Sequence, residues 1–257
     1  MTGSNTIVDF DTVHHAFGDN IAIERFNFKI HRGERVAILG RTGAGKSTIL
    51  NLLVGNFAPT SGTVRIDGID PFVQHKSLRG VIGMAYQAPR LLPWRTAVQN
   101  VAVGQEIAGV AKEKREANAR LWLDKMHLED AYDLVPSQLS GGMRQRVSLA
   151  RAFAIDPALV LLDESFSALD EVTARVLRED FIKVAEEESK TAMIVTHNIE
   201  EAFQMAHRVI LLGRPARILA EYHTANEPKV GTTEFTVLRE QIRDLMLSPE
   251  GGISAYD

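Results

Sequence analysis

The chain has 257 residues, 45% of them hydrophobic and 24% charged, an ordinary globular composition long enough to bury a core without staples. Cysteine is absent, which excludes thiolate catalysis, Cys-ligated zinc, iron–sulfur clusters and disulfides. Lys and Arg number 29 against 33 Asp and Glu, so the net charge is −4 and no basic excess advertises nucleic acid. The longest uncharged stretch, Ser47 to Val64, is interrupted by Asn, Pro, Gly and Thr and cannot span a bilayer. Met1 to Val8 has neither a basic nor an apolar region of the signal-peptide kind. Any membrane role is therefore expected to come through a partner.

In chain order, short β-branched or apolar runs alternate with longer helical patterns, which favours an α/β fold with a largely parallel sheet. The expected strands cover residues 6–10, 26–30, 35–39, 63–66, 80–86, 158–162, 191–196, 208–212 and 217–221. The early runs carry polar alternation and read as an antiparallel β flank. Those at 36–39, 159–162 and 193–195 are apolar on both faces, as strands covered by helices on each side require. No strand pattern occurs between Ala88 and Pro157, which reads as helices and loops. Asp170 is a candidate cap for a helix whose stripe is Val172, Val176, Leu177, Phe181 and Val184. The expected organisation is one domain over 1–257. Its core covers about 1–87 and 158–222, with a helical subdomain inserted at about 88–157 and a closing loop and helix at about 223–257.

Gly40-Arg-Thr-Gly-Ala-Gly45-Lys46-Ser47 follows the expected strand at 35–39 and opens a helical run, the GxxxxGK(S/T) arrangement. Its glycines let backbone amides turn inward, so that amides and helix N-terminus cradle a polyphosphate. Lys46 supplies a point charge to the outer phosphates, and the Ser47 hydroxyl suits Mg²⁺. The candidate nucleotide-binding residues here are Gly40, Gly43, Ala44, Gly45, Lys46, Ser47 and Thr48. The bare pattern arises by chance in roughly one chain of this length in a hundred, and its strand–helix setting makes coincidence rarer.

A second candidate, the apolar run 158–162, ends in Asp163 and Glu164. Strand C-termini of a parallel sheet open onto a ligand crevice, and adjacent strand residues point to opposite sides. Asp163 is thus expected to hold Mg²⁺, and Glu164 to act as general base toward an attacking water or to orient it. Leu139-Ser140-Gly141-Gly142 introduces another helix. Ser140 suits the N-cap, while Gly141 and Gly142 leave first-turn amides open to an anion.

With these motifs in this order, the chain resembles the ATP-binding subunits of ABC transporters from about residue 7 to 220. The resemblance implies a P-loop NTPase core, ATP and Mg²⁺ as ligands, and hydrolysis of ATP coupled to transport. It also implies a head-to-tail homodimer, with each ATP between one subunit's phosphate loop and the other's Ser140, Gly141 and Gly142. Phe17 stands where the family stacks an aromatic on adenine, although by itself it reads more readily as a core aromatic. Gln87 matches the Q-loop glutamine that senses Mg²⁺, Asp170 closes a D-loop, and His197 matches the switch histidine that contacts the γ-phosphate.

Ser165, Asn198 and His207 depart from the residues commonest in the family, and none of the three removes a catalytic group. Arg90-Leu-Leu-Pro93-Trp94, Asn198-Ile-Glu-Glu-Ala-Phe203 and Arg214-Pro-Ala-Arg-Ile218 resemble the nitrate, sulfonate, taurine and bicarbonate importer branch. The implied partners are transmembrane permease subunits and, indirectly, an extracytoplasmic solute-binding protein, with no nucleic acid. The implied location is the cytoplasmic face of the cell membrane, peripheral through the permease. Trp94 reads either as part of a permease-docking surface or as subdomain core. His14 and His15 have no ligand spacing and read as solvated or structural. The rival reading is a soluble ABC ATPase acting on nucleic acid or ribosomes, which the net charge and the lack of cysteine zinc modules disfavour.

Overall fold

A computed structural model describes residues 5–248. The described chain forms two compact units, one built from residues before 79 together with those after 190, the other from Arg79–Lys190. The part of the expected closing segment beyond residue 248 lies outside the described residues.

The first unit holds two sheets. Strands β1 (Thr6–Phe17), β2 (Asn20–His31) and β4 (Ser61–Ile66) form an antiparallel sheet in the order β2-β1-β4. β2 and β4 alternate buried and exposed residues, as a sheet with one face covered requires. On the covered face Phe10 meets Phe26 edge to face, with ring centres 5.4 Å apart. β1 and β2 run on well past their apolar runs because irregularities in register carry the pairing through Thr12 and Arg25, both at positive φ.

The other sheet of this unit places β3 (Arg35–Leu39) between β7 (Thr191–Thr196) and β8 (Arg208–Leu212), all parallel; β9 (Ile218–His223) is antiparallel beside β8. β3 and β7 are buried along their whole length, so their two-sided apolar runs are what the setting demands. Helices α1 (Lys46–Leu53), α6 (Ile199–Met205) and α7 (Thr233–Leu247) complete the unit. The last docks Phe235 edge-on to Phe203 at 5.4 Å.

The second unit pairs β5 (Ile82–Tyr86) in parallel with β6 (Leu159–Asp163) and adds α2 (Ala97–Ile107), α3 (Lys112–Lys125), α4 (Gly141–Ala154) and α5 (Glu171–Glu187). No strand occurs between residues 88 and 157, all of which are described. The core of this unit is aromatic: Trp122 stacks on Phe153 at 5.2 Å, and Phe153 leans on Phe181 at 5.8 Å. Burying a side chain of this size contributes roughly 1.5–3 kcal/mol. The α5 stripe differs from the expected one. Leu177, Phe181 and Val184 are buried, but Val172 is 76% and Val176 41% exposed. Ala174 and Arg178 take their place; Arg178 Nη2 donates to Glu171 at 2.7 Å, while its buried Nε meets no hydrogen-bond partner among the described residues. The helix is thereby rotated away from its purely apolar face.

Candidate nucleotide site

In the first unit the phosphate loop leaves the buried C-terminus of β3 and delivers α1. Gly43 and Gly45 have φ of +82° and +84°, a region where any Cβ is strained. Lys46 is almost fully buried; its Nζ reaches back over the loop and donates to the carbonyls of Gly40 at 2.7 Å and Arg41 at 3.0 Å. A cation is thus held inside a ring of backbone groups, while Ser47 is exposed and Thr48 half-buried at the helix start. Ala44 is buried and plugs the inside of the turn.

β7 brings His197 to the same edge. Leu39 is paired with Thr196, and the Gly40 N–H donates to the Thr196 carbonyl at 3.4 Å. His197 therefore follows beside the loop's first residue, exposed, and Asn198 caps α6 by accepting from the Glu201 N–H at 2.9 Å. Phe17, at the tip of the β1–β2 hairpin, is 52% exposed. It stands edge-on to His15 at 4.6 Å and to Phe57 at 5.5 Å, and His15 stacks flat on Phe57. Of the two expected roles for His15, the structural one holds. The ring is buried, neither of its nitrogens meets a hydrogen-bond partner among the described residues, and burial pulls its pKa below the ordinary value.

In the second unit Tyr86 and Asp163 are register partners, so Gln87 and Glu164 emerge together at the C-terminal edge of β5 and β6. Glu164 does not continue the strand as expected. β6 ends at Asp163, and Glu164 has φ +47°, so its side chain is aimed by a left-handed turn and not by strand alternation. Buried Ser165 locks that turn, its hydroxyl donating to the Ala85 carbonyl at 2.9 Å. Asp170 caps α5, accepting from the Thr173 N–H at 3.0 Å; that backbone bond holds its carboxyl below the usual range.

Ser140 caps α4 by accepting from the Met143 N–H at 3.2 Å, with Gly141 exposed beside it. A Cβ at Gly142 would lie 2.7 Å from the Thr173 methyl, so close approach of α5 demands glycine there. An open cleft of about 490 Å³ adjoins this helix start, lined by Ser140, Gly142, Met143, Arg146, His127 and Thr173.

Three residues of this unit carry more than their sequence signal suggests. The half-buried Arg151 guanidinium donates to the carbonyls of Pro89 at 2.6 Å and Arg90 at 2.9 Å, and burial lowers its pKa. Gln145 donates to the Tyr86 carbonyl at 3.0 Å. The segment through Gln87 thus hangs on the helix that begins at Ser140. Asn100, fully buried, accepts from the Leu92 N–H and donates to the carbonyls of Leu92, Arg95 and Thr96, which fixes the loop presenting Trp94 at 74% exposure. Polar residues on otherwise apolar helix faces are the signal that points to them.

A glycine-turned phosphate loop between a parallel strand and a helix makes this a P-loop nucleotide-binding protein of the α/β class. The ABC transporter family model matches residues 23–167. A taurine import ATP-binding protein of Rhizobium johnstonii is 35% identical over 240 residues, covering 89% of this chain and 90% of that protein. An ABC transporter ATP-binding protein of Methanocaldococcus jannaschii is 38% identical over 201 residues, 77% of this chain and 73% of its own. Among solved structures, the ATP-binding cassette MJ0796, a dimer in a post-hydrolysis state bound to ADP and Pi, superposes with a TM-score of 0.75 at 32% identity, covering 85% of this chain and 99% of the other. The cbiO1 subunit of the cbiONQ ABC transporter complex from Clostridium perfringens shares the fold at a TM-score of 0.80, over 95% of this chain and 96% of its own. The chain belongs to the ABC transporter family and is one of its ATP-hydrolysing cassettes.

Proposed function

We propose that the chain powers an importer for a small anionic solute of the sulfonate or nitrate kind, working as a head-to-tail homodimer on the cytoplasmic face of the membrane. The observation that carries the dimer is the presence of two glycine-opened helix starts on one chain, α1 behind the phosphate loop and α4 behind its Ser140 cap. In this reading Gly40, Gly43, Ala44, Gly45, Lys46, Ser47 and Thr48 bind the triphosphate in one subunit. Ser140, Gly141 and Gly142 of the second copy cover the γ-phosphate, and Phe17 offers its exposed ring to adenine.

Ser47, Asp163 and Gln87 supply oxygen donors only, a set that fits Mg²⁺ better than a softer metal. These residues would hold Mg²⁺, which would supply neutralisation of charge on the phosphates. Glu164 accepts the proton of the attacking water or orients it, His197 donates to the γ-phosphate, and Asp170 steadies the turn that leads from Glu164 to α5. No described helix is long and apolar enough to cross a membrane. Transport therefore rests on permease subunits gripping the segment from Gln87 through the exposed Trp94, with a solute-binding protein delivering cargo on the far side. The sulfonate class is supported by the similarity to taurine import proteins.

Mixing two inactive variants tests the shared site. Ser140→Arg and Lys46→Ala should each abolish hydrolysis, and together restore at most one active site per dimer. Full activity of Ser140→Arg alone sinks the role in trans.

A further inference from the structure

Arg214-Pro-Ala-Arg-Ile218 has no part in the hydrolysis chemistry, yet it belongs to the connection between β8 and β9 that lies against the phosphate loop. A Cβ built at each of three loop glycines would meet one of three alternate residues, at the end of β8 and in that connection. A Cβ at Gly40 would lie 3.3 Å from the Leu212 Cβ; at Gly43, 3.8 Å from the Arg214 guanidinium carbon; at Gly45, 2.7 Å from the Ala216 Cβ. We propose that Arg214 is a positioning residue of the nucleotide site, holding the Gly43 peptide in place and adding a second positive charge beside Lys46 for the triphosphate.

The turn is a fixed support and not a passing loop. Gly213 donates to the Arg217 carbonyl at 3.0 Å, closing the turn on itself. Ala216 donates to the Ala22 carbonyl at 2.9 Å, and the Glu24 N–H donates to the Ala216 carbonyl at 3.0 Å, which splices the turn onto β2. Ala216 is wholly buried, whereas Arg214 is exposed at the rim. β2 begins at Asn20, paired with Phe17. The element that braces the phosphate loop is thus hydrogen-bonded to the strand that leads to the exposed aromatic.

Gly43 needs the support because its peptide sits at φ +82° with no side chain to pack. A planar guanidinium 3.8 Å from where a Cβ would stand covers the outside of that bare peptide, and its permanent charge favours a polyanion in the loop. The fit at Gly45 is close: a Cβ there would lie 2.7 Å from the Ala216 Cβ and 2.8 Å from the Ala22 carbonyl oxygen, so the loop passes that turn only as glycine.

This inference rests on the ATP reading, so the test carries a separate control. ATP and adenosine are titrated as competitors of a fluorescent ATP analogue on the full chain, with thermal unfolding followed in parallel. Lys46→Ala losing ATP affinity supports the ATP reading; Lys46→Ala binding ATP like the wild type overturns that reading alone. Arg214→Ala is expected to weaken Mg-ATP ~10-fold with adenosine affinity and the unfolding midpoint unchanged, as loss of one charge near a polyanion in a water-rich setting predicts. Arg214→Lys should recover most of that loss and Arg214→Glu deepen it. ATP affinity within twofold of wild type in Arg214→Ala overturns the proposal. So does an equal loss for adenosine, or a Lys variant as weak as Ala. Should Arg214→Ala not fold, the Lys and Glu variants decide the matter through the sign of the charge: equal ATP affinity in those two overturns the proposal.

Discussion

Replacing Arg151 with Met keeps the length of the side chain and removes the fork that holds the segment after Gln87. Two donor contacts to that segment are lost, to Pro89 at 2.6 Å and to Arg90 at 2.9 Å, along with a longer one at 3.4 Å to the Ser148 hydroxyl of the same helix. A hydrogen bond from a charged donor contributes ~1.5–3 kcal/mol when dry, and both acceptors here lie in a half-exposed or exposed segment where water replaces part of the loss. About 1 kcal/mol per bond, or ~2 kcal/mol in all, is the expected destabilisation. For a chain of this size that corresponds to a fall of ~4–8 °C in unfolding midpoint. The local effect should be larger than the global one. Amide exchange over residues 87–92 should rise while that of β3 and β7 stays slow, because the two bonds hold one segment and not the sheet of the first unit. Arg151→Lys should keep about half the stability, since an ammonium reaches one carbonyl without the fork geometry. A midpoint within about 1 °C of wild type together with unchanged exchange would refute the anchoring role.

Glu164→Gln should keep ATP affinity while hydrolysis slows by ~10² or more, with an ATP-bound dimer accumulating on size-exclusion chromatography; normal turnover would remove Glu164 from the chemistry. His15 gives a pH signature. Its folded pKa is lowered by burial, so below about 6.5 the unfolded chain binds more protons, and stability falls as pH drops from there toward the lowered value. The difference in urea stability between wild type and His15→Phe should therefore be flat above about pH 7 and change as the pH falls below about 6.5, and a pH-independent difference contradicts the buried ring. Trp94→Glu, at a position 74% exposed, should leave stability within ~0.5 kcal/mol yet abolish permease co-purification, and retained transport would place the docking surface elsewhere.

Most described strands are legible in the sequence as apolar or alternating runs because they have at least one covered face, whereas β9 holds no buried residue. The family motifs are legible because their glycines answer fixed needs, a left-handed backbone at Gly43 and Gly45 and the close approach of α5 at Gly142. The hairpin of β1 and β2 is legible only in part: Thr12 and Arg25 interrupt the alternation where the pairing slips and continues. The α5 face departs from expectation at Val172 and Val176, since periodicity reads valine as core and does not place an arginine such as Arg178 among the buried residues. Arg151, Gln145 and Asn100 escape notice as anchors for a similar reason. Their partners are backbone carbonyls far away in sequence, or in an irregular loop, and these leave no pattern in composition. The position of Glu164 is legible but its direction is not, because a strand's last residue obeys alternation and the next one need not.

That backbone at Glu164 has a bearing on how the protein would respond to selection for robustness. A side chain at φ +47° costs roughly 1–2 kcal/mol relative to glycine, and asparagine also tolerates the conformation better than glutamate. On the role proposed for Glu164, a screen that rewards heat resistance alone would favour Gly or Asn at 164, and would enrich for chains that still bind nucleotide but no longer turn it over. That role sets thermal tolerance against turnover at one torsion angle, so directed evolution of this cassette would have to score hydrolysis in every round.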